Sequence, residues 1–125
     1  MFDWRRPKNL GVVGGKFAPC RRTPNCVSSQ ADPADREHYI APIAFRGDAI
    51  AAVRRAVEAM PRTRIISSDS HYLYAEFRSR LLRYVDDVEF HYDEGAGLIH
   101  VRSASRLGAR LRREPRARRE AALPY

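Results

Sequence analysis

Long apolar runs are missing from this chain: its uninterrupted hydrophobic stretches last only a few residues. A bilayer-spanning helix needs roughly 20, so no transmembrane segment is expected. The opening MFDWRRPKNLG also lacks the apolar core of a secretory signal, which makes the cytoplasm the expected compartment and a periplasmic or membrane-peripheral place the alternative. Cysteine is scarce, with only Cys20 and Cys26, too few thiolates to fill the four positions of a structural zinc site. His38 is the one nearby residue that would add a third ligand, at a spacing from Cys26 that is not diagnostic. No metal triad, nucleophile elbow or serine relay stands out, and no metal or cofactor is expected. Gly11 to Lys16 reads Gly-x-x-Gly-Gly-Lys, without the full spacing, following Ser or Thr, or preceding strand of a phosphate loop.

Acidic residues are outnumbered, 15 against 23 basic ones, for a formal charge of +8. Most of that excess is local: Arg102 to Glu120 holds eight arginines and two glutamates. Such a segment suits a solvated helix, or contact with phosphates or an anionic membrane surface. Aromatic residues are not interleaved with it, so nucleic acid is a disfavoured partner and would bind nonspecifically.

What is present is alternation. In HYLYAEFRSRLLRYVDDVEFHYDEGAGLIHVRSASR, His71 to Arg106, apolar residues recur with period two in three successive runs. Leu73, Ala75 and Phe77 form one row, Val88 and Phe90 a second, Ile99 and Val101 a third. The opposite face receives Tyr72, Tyr74, Glu76, Arg78, Asp87, Glu89, His91, His100 and Arg102. Asp93, Glu94 and Gly95 supply hairpin chemistry, while Leu81 and Leu82 interrupt the pattern as a bulge or wide connection.

Upstream, GDAIAAVRRAVEAMP predicts one helix, with Asp48 as N-cap, Pro61 as stop and Ile50, Val53, Val57 and Met60 as its buried stripe. Tyr39 to Phe45 alternates but contains Pro42, which suits an edge strand, and Arg64 to Ser67 predicts a short strand. Residues 1–15 read as an arm without periodicity, pinned by Trp4 and, just beyond it, Phe17. PCRRTPNCVSSQ, Pro19 to Gln30, reads as a turn-rich loop. Its cysteines are expected first as packed thiols, with a Cys20–Cys26 disulfide, metal ligation and a catalytic Cys26 as alternatives. The expected fold is α+β: an antiparallel sheet of about four to five strands packed against one main helix, with a basic C-terminal segment.

If the cysteine loop folds over the polar face, the groups there line a cleft. Arg102 would clamp a carboxylate or phosphate, Tyr74 would stack on a ring, and Asp87 with Glu89 would supply a carboxylate pair. Ser103, Ser105 and Arg106 would offer an anion nest at the strand end, and Asn25 and Ser28 would fix the loop. The candidate ligand-binding set is therefore Asn25, Cys26, Ser28, Tyr74, Glu76, Asp87, Glu89, Arg102, Ser103, Ser105 and Arg106. The leading function is a non-catalytic binding or scaffolding domain for a small anion or anionic surface. The alternatives are an enzyme using Cys26 or the Asp87 and Glu89 pair, and polyanion or membrane association through the arginine-rich segment. Oligomeric state is left open.

PNCVSS at 24–29, DDVEF at 86–90 and RSASRLG at 102–108 occur in the order that resembles the family called domain of unknown function 1499. The resemblance implies a single domain over residues 16–121, followed by a short end at 122–125, and members often found beside membranes or in exported compartments. It implies no general activity. The family pattern continues with an aspartate, a glycine and an asparagine where this chain has Leu111, Arg113 and Pro115, whereas Arg116, Arg118 and Glu120 match. A site dependent on the missing polar residues would be altered here.

Overall fold

In the computed structural model, which describes residues 6–80 and 84–106, the alternating stretch becomes three long strands. The expectations for Trp4, Leu81, Leu82 and the arginine-rich segment past Arg106 lie outside those residues. In chain order the elements are β1 (Val12–Val13), β2 (Lys16–Phe17), β3 (Cys26–Ser28), β4 (Ile43–Ala44), α1 (Ala49–Glu58), β5 (Thr63–Ser68), β6 (Tyr72–Arg78), β7 (Val85–Asp93) and β8 (Leu98–Ser105). The main sheet has six strands in the order β3-β8-β7-β6-β5, with β4 also on the free edge of β8. All its strand pairs are antiparallel.

Helix α1 lies across one face. Asp48 caps it by accepting a hydrogen bond from the Ala51 amide at 3.3 Å, offsetting one of the orphan donors of the first turn. Its stripe of Ile50, Val53 and Val57 packs on Leu73, Ala75, Val88, Phe90, Ile99 and Val101, which are all buried. Met60 is only partly buried beyond the helix end. Gly97 makes the β7–β8 turn at φ +67°, a backbone conformation that favours glycine; a Cβ there would also displace the flexible end of the Arg46 side chain.

Two segments differ from the sequence expectation. Gly11 to Phe17 is an antiparallel hairpin whose two turn residues, Gly14 and Gly15, both have positive φ, the conformation a two-residue hairpin turn requires. Gln30 ties it to the domain, accepting from the Phe17 amide and donating to the Gly15 carbonyl, each at 2.9 Å. The second segment is the cysteine loop, which is not loop throughout: Cys26, Val27 and Ser28 pair with Ala104, Ser103 and Arg102 as an edge strand. Val27 is completely buried, and that burial outweighs the local turn preference of the flanking Pro24-Asn25 and Ser-Ser. With this strand the sheet has six strands, against the four to five expected.

Candidate functional site

Register sets the polar face. Tyr74 opposes Glu89, which opposes Arg102, which opposes Ser28; one row along, Glu76 opposes Asp87, then Ala104, then Cys26. Side chains of one row point to the same side of a sheet. The alternation therefore gathers Tyr74, Glu76, Asp87, Glu89, Arg102, Cys26 and Ser28 on one face. Ser103 and Ser105 fall on the other, beside Val27, Val88 and Asp86. The expected nest of serine hydroxyls is thus divided between the faces, because adjacent strand residues alternate. Ser105 reaches the site through its backbone, its amide donating to the Asn25 carbonyl at 2.9 Å and its carbonyl accepting from Asn25 Nδ2 at 2.7 Å.

The cover of this face also differs from expectation. The cysteine strand borders it, and the N-terminal arm lies over it. Arg6 donates to Glu76 Oε2 through Nε at 3.1 Å and Nη2 at 2.9 Å, and its guanidinium carbon lies 5.8 Å from the Tyr74 ring centre. That contact takes the stacking role expected of a ligand on Tyr74. The Gly11 amide donates to Glu89 Oε2 at 2.6 Å, as does the Tyr72 hydroxyl, also at 2.6 Å. Sequence reasoning missed Arg6 and Gly11, and nothing in an aperiodic arm signals which strand it will cross.

Arg106 is fully engaged. Its Nε and Nη2 donate to the two oxygens of Asp87 at 2.9 and 2.8 Å, and Nη2 also reaches Glu76 Oε2 at 2.7 Å. The Tyr74 hydroxyl donates to the same Asp87 carboxylate. Both Asp87 oxygens are thereby taken up by donors from within the protein. Although burial pushes the Glu76 carboxyl up, its hydrogen bonds from Arg6 and Arg106 hold it below the usual range.

Arg102 has the opposite situation. It is 4% exposed, and its nearest carboxylate oxygen, Glu89 Oε1, lies 3.6 Å from Nη1, too far for a hydrogen bond. Among the described residues its guanidinium has no hydrogen-bond acceptor: Arg102 Nε is buried without an acceptor, and Glu89 Oε1 is buried without a donor. Burial lowers the Arg102 pKa and raises that of Glu89, the latter despite Tyr72, Gly11 and Arg102.

Arg102 lines a cavity of about 340 Å³. Pro7 and Asn9 of the arm form one wall, Arg21, Thr23, Asn25 and Cys26 another, and Asp87, Ala104 and Arg106 contribute to the floor. Of the residues expected at a site, Asn25, Cys26, Asp87, Arg102, Ser105 and Arg106 meet here. Ser28 instead lines a second cavity of about 460 Å³ with Lys16, Cys20, Asp35 and His38.

Both cysteines are joined in one disulfide, Cys20 to Cys26, with Cα atoms 5.6 Å apart. This corrects the expectation of packed thiols and removes the proposed Cys26 nucleophile, since neither sulfur is a thiol. His38 is equally committed: Nδ1 lies 2.8 Å from Asp35 Oδ2 and Nε2 2.8 Å from the Thr23 carbonyl. Among the described residues, no group of three His, Cys, Asp or Glu side chains is placed to hold a metal ion. Nor is any helix there long and apolar enough to cross a membrane.

No curated protein and no solved structure matches the chain. The family model described as "Protein of unknown function (DUF1499)" matches residues 16–118, which include β3, the acidic strand β7 and the arginine-bearing strand β8. With most of its length covered by that match, the chain belongs to the DUF1499 family.

Proposed function

We propose that this domain is a non-catalytic binding module whose ligand is a small anion held by Arg102. The observation that carries the reading is the buried Arg102, whose Nε has no hydrogen-bond acceptor among the described residues, lining a cavity whose rim includes Arg21. Burying a charge without hydrogen bonds costs several kcal/mol, and an anion in the cavity would offset that cost with charge-assisted bonds. The concave position suits a small ion better than an extended anionic surface. The carboxylate-pair alternative finds less support, because Asp87 is bound on both oxygens and Glu89 is completely buried.

The disulfide supports a place in an oxidising compartment over the reducing cytoplasm. Trapping free thiols by alkylation in intact source cells tests this: an unmodified protein is expected, and quantitative labelling of both cysteines would count against it. For the anion, the Arg102 Nε–Hε resonance is followed by NMR during titration with acetate, phosphate and sulfate at fixed ionic strength. A saturable shift is expected for at least one of them, accompanied by a shift of the backbone amide of Ala104 in the cavity lining that is lost in Arg102→Gln; no shift with any ion rejects the reading.

A further inference from the structure

Resting on the anion-site reading, we infer that the cavity selects a small organic monocarboxylate over phosphate or sulfate. The first reason is the supply of cations. Two arginines in the site are buried, with side chains 5% and 8% exposed, and Arg106, the latter, is spent on Asp87 and Glu76. Arg102 alone is left, and its flat fork matches the two oxygens of one carboxylate.

The second reason is the anions already present. Glu89 Oε1 lies 3.6 Å from Arg102, and Asp87 forms part of the cavity lining. A single ligand charge is balanced by Arg102 with Arg21 at the rim. A second charge on the same ligand would lie close to Asp87 in the lining, with Glu89 behind Arg102, and among the described residues no further buried guanidinium is uncommitted to offset that repulsion.

The third reason is the remainder of the wall. Pro7, Ala104 and the bridged Cys26 present small apolar surfaces next to the charged end. A volume of about 340 Å³ is near the lower bound of small-molecule sites, roughly 300 Å³. This leaves room for a short hydrocarbon or single-ring body behind a carboxylate. Asn25 can add one hydrogen bond, since only one of its two amide N–H groups is needed by the Ser105 carbonyl.

The test is calorimetric titration of the full chain, purified without reductant, with propionate, benzoate, inorganic phosphate and sulfate at constant ionic strength. At least one carboxylate is expected to bind tenfold or more tightly than either inorganic ion. Arg102→Lys keeps the charge and removes the fork, and should weaken carboxylate binding at least tenfold. Ala104→Leu fills the floor without altering a charge and should abolish it, which preserves the test if the arginine variant does not fold. Phosphate or sulfate binding as tightly as the carboxylates overturns this inference and leaves the anion reading standing. Undiminished carboxylate binding by folded Ala104→Leu places the ligand elsewhere and overturns it too. Saturation by none of the four overturns both.

Discussion

Arg102 within β8 and Arg106 just beyond its end lie four residues apart and enter the same polar layer, yet among the described residues one is hydrogen-bonded to carboxylates and the other is not. Arg106 gives short hydrogen bonds to Asp87 and Glu76, and its pKa is raised, first by the Asp87 bond. Arg102, the more deeply buried of the two, has a 3.6 Å approach to Glu89 and a lowered pKa from burial. Their carboxylate partners divide in the same sense, Glu76 lowered and Glu89 raised. A buried ion pair is weak evidence of stabilisation unless its hydrogen bonds are complete. The completed end therefore reads as architecture, and the incomplete end as a place whose hydrogen bonds come from outside the protein.

The comparison breaks most readily at Arg106. Arg106→Met should strand the buried Asp87 carboxylate, take one of its guanidinium partners from Glu76, and lower unfolding free energy in urea by about 3–5 kcal/mol. Arg102→Met combined with Glu89→Gln removes an incomplete pair together and should leave stability equal or higher. Equal losses in the two proteins would show that the distances misrepresent the difference and that Arg102 is as structural as Arg106.

The Cys20–Cys26 bridge sharpens the contrast from the cavity side. Its six-residue sequence separation corresponds to about 2 kcal/mol of chain-entropy stabilisation, so Cys20→Ala/Cys26→Ala should lower stability by about that much. The wall carrying Thr23 and Asn25 would loosen, weakening anion binding at Arg102, while the Arg106 cluster, whose hydrogen bonds run to Asp87 and Glu76, keeps them. NMR of the arginine Nε–Hε groups separates the two: Arg102 should broaden and Arg106 should not. Equal broadening would mean that the bridge stiffens the whole sheet.

Much of this was legible from residues. Period-two alternation placed Glu76, Asp87, Glu89 and Arg102 on one face because a strand has no other way to arrange them, and Asp48, Pro61 and the Ile50-Val53-Val57 stripe located the helix. What was hidden depended on contacts distant in sequence. Cys26 to Ser28 is too short to show alternation and becomes a strand only because β8 has a free edge for it. The arm is held by Arg6 on Glu76, 70 residues away, and by a backbone amide, which carries no sequence signal at all. The disulfide was one alternative among four because spacing does not fix geometry.

The smallest effect concerns the loop beside the cavity. Both nitrogens of His38 face acceptors, Asp35 Oδ2 and the Thr23 carbonyl, and only the doubly protonated ring donates to both. Burial alone would lower its pKa, but the bonds to Asp35 and Thr23, with Asp35 and Glu37 charge nearby, leave it raised above the ordinary histidine value. A raised folded pKa gives stability that is complete below the unfolded value, roughly 6.5, and is lost as pH rises through the folded one. Asp35 is lowered first by its bond to His38, so its share is present above the usual carboxylate range and is lost as pH falls through the folded value. Wild-type protein should therefore lose stability from pH 6 to pH 9 in urea melts. His38→Gln should be less stable at pH 6 and flatter across that range. Because Thr23 borders the cavity, the same pH rise should also weaken binding at Arg102 in the wild type more than in His38→Gln; identical pH slopes for the two proteins would leave His38 with no part in setting that wall.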